Sequence, residues 1–202
     1  VHAHTRSVAP GVPGNAAMDQ LTANVVQWLM APRGNPAAPK IVAAHLPGRA
    51  TYWWPHEAKV RAWLAARYPQ ATINGLTAAA ATAANAVDDG CDGAALEACL
   101  QGADLLVIGR QQGTEQTGDA FPAGVDAALI AGVVDRAQAR GIPVLYLHHY
   151  RDANPLATAL LARFRLGVSN NYWQIEGLKG HGGAAQPEAD PALAALDGLL
   201  AR

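Results

Sequence analysis

The chain has 202 residues, enough for one domain with a substantial core. Half of it is hydrophobic and only 15% is charged, which excludes a disordered polymer. A net charge of -1 excludes a broad basic footprint for nucleic acid or an anionic membrane, and no apolar run approaches the roughly 20 residues that span a bilayer.

Residues 1–14 carry His, Pro, Gly and Ser without periodicity and read as a lead-in. Met18, Leu21, Val25 and Leu29, with Val26 and Trp28 beside them, predict a first amphipathic helix with Asn15 as its N-cap. Prolines from Pro32 to Pro39 stop it. Ile41 to Ala44 reads as a short strand buried on both faces. Pro55 to Tyr68 predicts a helix with Val60, Trp63 and Leu64 inward. Ala71 to Ile73 is a weak second strand, and the alanine-rich stretch 77–87 is helix or loop. Ala94 to Leu100 predicts a short helix, and Asp104 to Ile108 is the clearest strand in the chain. Pro122 to Arg140 predicts a long helix with Val125, Leu129, Val133 and Val134 inward, ended by Gly141 in the left-handed region. Ile142 to Leu147 is the next strand, and Asn154 to Phe164 the helix behind it.

Short apolar strands alternating with amphipathic helices predict an α/β fold, a three-layer sandwich around a mainly parallel sheet of flavodoxin or Rossmann type. The domain is placed at 15–179, followed at 180–202 by a Gly/Pro-rich stretch and a terminal helix. Ligands of such sheets sit at the carboxyl ends of the strands. The segments expected there begin with His45, Asn74-Gly75, Gly109-Arg110-Gln111-Gln112 and His148-His149-Tyr150-Arg151.

Each of these segments has a functional and a plainer reading. Cys91 and Cys99 would lie too far apart for a bridge in one continuous helix, but Asp92-Gly93 between them is a turn signal. They are read as a disulfide, which would imply an oxidising compartment; two buried thiols are the alternative. Neither follows a strand as a nucleophile would. His148 and His149 point to opposite faces if extended, so both cannot easily ligate one metal. One of them could join His45 and a carboxylate such as Asp152 or Glu115, yet no metal spacing is present, and the reading taken is hydrogen bonding to loops at the sheet edge. Gly109 to Gly113 follows a strand but lacks both phosphate-loop fingerprints. With Arg110 and Gln111 it reads as a solvated loop whose amides suit sugar hydroxyls or peptide. Tyr52-Trp53-Trp54 either stacks on a ligand or caps the core beneath its loop, and Tyr172-Trp173 falls in the irregular tail.

The order of elements resembles the flavodoxin-like domains of class I glutamine amidotransferases and their ThuA-like relatives. The stretches that carry this are Asn24-Val25-Val26-Gln27-Trp28-Leu29, the strand from Lys40 to His45, and Gly141 to His149. In those enzymes the elbow after such a strand carries a cysteine nucleophile; here His148 or His149 stands there, so the activity is not carried over. Within that class the chain is similar to an accessory domain of secreted immunomodulating metalloproteases, zinc peptidases that cut mucin-type O-glycoproteins. The matching features are the Asn-x-x-x-Trp-Leu helix, Tyr52-Trp53-Trp54-Pro55, the Cys91/Cys99 pair ahead of Leu105 to Arg110, and Val144 to Tyr150. The family's His-Glu-x-x-His helix is absent from the chain.

This resemblance implies a non-catalytic binding or architectural piece of a secreted or periplasmic metallopeptidase, without a cofactor or metal of its own. Its partners would be other domains of the parent and an O-glycan or glycopeptide, not nucleic acid or membrane. Candidate contact residues are His45, Tyr52, Trp53, Trp54, Arg110, Gln111, His148, His149 and Tyr150. The alternative is a ThuA-like hydrolase with a histidine-based, metal-assisted site. The chain opens on Val1 without a charged-then-apolar leader and is read as a processed chain or an excised fragment.

Overall fold

The computed structural model describes residues 16–46, 57–82, 91–109, 127–147 and 155–163. The elements run α1 (Ala16–Met30), β1 (Lys40–Ala44), α2 (Glu57–Arg67), β2 (Thr72–Ile73), β3 (Leu76–Thr77), α3 (Ala78–Ala81), α4 (Leu96–Cys99), β4 (Leu105–Ile108), α5 (Ala127–Ala139), β5 (Val144–Tyr146) and α6 (Pro155–Ala162). One sheet of five strands has the order β3-β2-β1-β4-β5. The pairs of β1 with β2, β1 with β4, and β4 with β5 are parallel; β3 alone is antiparallel. The four parallel strands thus follow the flavodoxin-like order, with a crossover reversal between β1 and β4.

Strand alternation divides the core into two layers. On one face Val42 and Ala44 of β1, with Leu106 and Ile108 of β4, pack against Leu96, Ile130, Val134, Ala137 and Leu160 of the helices. On the other face Ile41, Ala43, Leu105 and Val107 pack against Val26 and Met30 of α1 and Val60 and Leu64 of α2. Both central strands are therefore covered on both sides, which is why they read as unbroken apolar runs. The α/β sandwich expected from the alternating pattern is the architecture found.

Three local expectations need correction. In α1 the inward residues are Thr22, Ala23, Val26 and Met30, while Leu21 is 46% and Trp28 74% exposed. The inner stripe is rotated by about one residue, because a small alanine and a threonine fit against the sheet where bulk was expected. In α5 Ile130, Ala131, Val133, Val134 and Ala137 face the core, and Leu129 is outward at 41% exposed. Finally, Asn74-Gly75 does lie at the carboxyl end of β2, but it does not lead into a long connection there. It turns a hairpin in which Ile73 opposes Leu76, both turn residues being left-handed at φ 50° and 81°. That is the type I′ geometry which Asn-Gly favours, and it was overlooked because β3 has only two residues.

The end of α5 matches its expectation. Gly141 adopts φ 72° and donates to Gln138 O, and Ile142 donates to Ala137 O, the paired closure that left-handed glycine permits.

The carboxyl edge of the sheet as candidate functional site

The carboxyl ends of β1 and β4 meet at the crossover reversal, where doubly wound sheets usually open a ligand crevice. Here that place is occupied by side chains of the domain itself. His45 follows β1 in a left-handed conformation, φ 51°, and is fully buried. Its backbone N–H donates to Asp92 Oδ1 at 2.7 Å, and its Nε2 accepts from the Gly93 N–H at 3.0 Å. An Nε2 that accepts carries no proton, so the imidazole is neutral with its hydrogen on Nδ1.

Asp92 and Gly93 belong to the loop closed by the Cys91–Cys99 disulfide, with Cα atoms 5.8 Å apart. Both cysteines of the chain are consumed in that bridge. The expected disulfide is present, and the Asp92-Gly93 turn brings its halves together, Gly93 adopting φ 62° at the start of a 3₁₀ turn. The cross-linked loop is pinned to the first strand by two hydrogen bonds through one residue.

Gly109, just beyond β4, continues the ladder by donating to Ala44 O at 3.2 Å, and Leu147 donates to Ile108 O at 2.8 Å. A Cβ on Gly109 would lie 2.7 Å from Leu46 Cδ2, 3.3 Å from His45 O and 3.5 Å from Leu147 O. The missing side chain of Gly109 is thus the space that Leu46 fills. The same geometry brings the stems at Leu46, Gly109 and Leu147 into contact. On the other side of β1, Asn74 completes the edge: its Oδ1 accepts from Ala43 N and its Nδ2 donates to Ala43 O, both at 2.7 Å. The side-chain amide there replaces a strand residue.

Of the expected contact residues, His45 lies among the described residues and is committed to the disulfide loop. Tyr52, Trp53, Trp54, Arg110, Gln111, His148, His149 and Tyr150 fall outside the described residues. Asp92, Gly93, Asn74 and the Leu46–Gly109 pair were not recognised as a unit in the sequence. Only Asn-Gly and Asp-Gly carried a local signal, and both read as turns. A buried charge was also missed. Arg61 of α2 is 1% exposed, and its Nε donates to Glu57 Oε1 at 2.8 Å, one helical turn earlier. Pairing is what makes burial of a guanidinium tolerable.

The amino-terminal end of the sheet is built differently. Asp104 receives the Lys40 N–H at 2.8 Å and Arg33 Nη2 at 3.4 Å. Glu97 receives Arg136 Nη2 at 2.6 Å and also Arg140 Nη2. The hydrogen bond from Arg136 holds the Glu97 carboxyl below its ordinary range; desolvation opposes it, and Arg140 adds to the lowering. Arg163 does the same for Asp135. A cavity of about 600 Å³ opens between Arg33, Glu97, Arg140 and Gly102, floored by Leu100 and Ile142.

Among the described residues no three His, Cys, Asp or Glu side chains converge as a metal site would require, and no helix is long and apolar enough to cross a membrane.

Topology and edge together define a doubly wound α/β domain in which, among the described residues, the crossover reversal is lined by apolar packing and a disulfide loop. The chain belongs to the immunomodulating metalloprotease N-terminal domain family, whose model matches residues 21–172, well over half of the sequence. It is thus an accessory domain of such a protease. No curated protein and no solved structure gives a match.

Proposed function

We propose that this domain, spanning residues 15–179, is a non-catalytic binding module of an exported metallopeptidase that acts on O-glycoproteins. It would contact O-glycan or glycopeptide through the segments that follow β1, β4 and β5. The observation that carries the reading is the finish of the first strand. His45 is buried and hydrogen-bonded to Gly93, and Leu46 fills the space beside Gly109. A catalytic base needs access to a substrate proton, and a reaction crevice needs room; both are taken up by packing here. The only two thiols are bound to each other, which leaves no sulfur nucleophile.

The stems at Leu46, Gly109 and Leu147 are neighbours, so the segments that leave them start from one patch. Those segments hold Tyr52, Trp53, Trp54, Arg110, Gln111, His148, His149 and Tyr150, aromatic and amide groups suited to stacking on sugar rings and bonding their hydroxyls. Other domains of the parent are the second class of partner. Trp28 and Leu21, seven residues apart and hence on one stripe of α1, expose apolar surface of the kind a neighbouring domain covers.

Calorimetric titration of the whole chain with O-glycosylated and unglycosylated versions of one peptide tests the glycan role. The expected result is saturable heat with the glycopeptide alone, lost in Trp53→Ala/Trp54→Ala. Equal silence toward both peptides overturns the glycan reading and leaves the architectural one.

A further inference from the structure

The pair that turns the β2–β3 hairpin has a second chemical property. Asn74 is the one asparagine in the chain followed by glycine. At such a pair the glycine backbone nitrogen can attack the asparagine side-chain amide, because no Cβ on the second residue obstructs the approach. Gly75 is exposed, with nothing within 4 Å of the place a Cβ would occupy, so water and base reach the turn.

Asn74 itself is half-buried and held. Its Oδ1 accepts from Ala43 N and its Nδ2 donates to Ala43 O, each at 2.7 Å, while its own N–H donates to Ile41 O at 3.0 Å. The side chain thereby extends the β1–β2 ladder past the Ile41–Ile73 pair. Attack needs Cγ turned toward Gly75 N and Nδ2 free to leave, so both bonds to Ala43 must first be given up. What guards them is slight. Strands β2 and β3 have two residues each, and β3 lies at the edge of the sheet. Short edge elements open at low cost relative to the rest of a fold.

We propose that Asn74 is a deamidation site, gated by opening of the β2–β3 hairpin, whose products unfasten the carboxyl end of β1. The Gly75 nitrogen gives its proton to base and bonds to Asn74 Cγ. The Cγ–Nδ2 bond breaks, and the nitrogen leaves as ammonia after taking a proton from solvent. Water then opens the cyclic imide: at Cγ to give aspartate, at the main-chain carbonyl to give isoaspartate. Overall one water is consumed and one ammonia released, with no oxidant or reductant. Aspartate has no donor for Ala43 O and sets an anionic oxygen against that carbonyl. Isoaspartate adds a methylene to the main chain and displaces the Ile73–Leu76 register. The clamp lost in either case holds the residue two before His45, in the strand that the disulfide loop also pins.

The test is incubation of the whole chain at mildly alkaline pH, folded and in denaturant with the disulfide intact, followed by peptide mapping. The expected result is the mass change of amide to acid, with isoaspartate, localised to Asn74. Its rate should be about tenfold lower in the folded protein, the effect of two hydrogen bonds that must open. Leu76→Ala keeps the Asn-Gly pair but weakens the packing of β3 on the core, and should speed conversion several-fold in the folded protein. Asn74→Asp, the product made directly, should lower the unfolding midpoint and shift the Ala43 amide resonance. Equal rates folded and unfolded, conversion that spares Asn74, or no acceleration in Leu76→Ala would overturn the gated site. An Asn74→Asp chain with the parent's midpoint and Ala43 resonance would overturn the unfastening.

Discussion

The two ends of one sheet are finished by different chemistry. At the carboxyl end a buried histidine, an asparagine and a cross-linked loop make a few hydrogen bonds away from water. At the amino end three arginines, partly buried at Arg33 and exposed at Arg136 and Arg140, pair with the carboxylates of Asp104 and Glu97. A buried donor that loses its partner keeps the full desolvation penalty, whereas an exposed ion pair merely exchanges its partner for water and salt. The carboxyl end should therefore hold the fold, and the ion pairs of the amino end should contribute little to it.

The sharpest way to break this contrast is at His45. His45→Ala leaves the Gly93 N–H without its acceptor and opens a cavity in a closed site, and should cost about 3 kcal/mol in denaturant unfolding. Cys91→Ala/Cys99→Ala alone should cost about 2.5 kcal/mol, the entropy of a loop this small. Because both changes loosen the same loop, the triple variant should lose clearly less than the sum. Strict additivity would show that the histidine and the bridge act independently.

A smaller effect sits at the crossover reversal. Gly109→Ala places a methyl where Leu46 already lies and should cost about 2 kcal/mol from overpacking. In the Leu46→Ala background the same methyl enters vacated space, so its cost should fall or change sign. An unchanged cost would mean that Leu46 does not fill the crevice.

The weakest effects belong to the exposed pairs. Glu97→Gln and Asp135→Asn should leave the unfolding midpoint at neutral pH almost where it is. Both carboxyls titrate lower in the folded state than in the unfolded chain, so what they contribute is complete above the ordinary carboxylate range. It is lost as pH falls through the depressed folded values. Thermal unfolding between pH ~7 and ~3 should accordingly fall less steeply in the variants than in the parent. A steeper fall would reverse the assignment.

Much of the fold was legible in residues that face one way only. Leu105 to Ile108 and Ile41 to Ala44 are apolar without interruption, which strands covered on both faces must be. Gly141 marked the end of α5 because few other residues accept that turn. Leu21, Trp28 and Leu129 misled for the opposite reason. Apolar bulk signals a core face only on average, and small Ala23, Ala131 and Ala137 took the inner positions instead. The Cys91/Cys99 bridge was legible in Asp92-Gly93, which lets eight residues turn back. His45 was visible as a residue of the carboxyl edge, but its partners were not, since Gly93 lies 48 positions away and supplies only a backbone N–H.

What the sequence determined by itself is the layered α/β class, because periodicity and local turn chemistry act over a few residues; the Asp92-Gly93 turn made the bridge a reading beside free thiols, and the kinship with the metalloprotease domain rested on the resemblance of particular stretches. What the tertiary structure alone decided is how the strand ends are closed: which side chain fills the space beside Gly109, which amide His45 accepts, and which arginines surround one cavity. Those outcomes depend on segments far apart in the chain meeting at a single point, and no local pattern encodes that meeting.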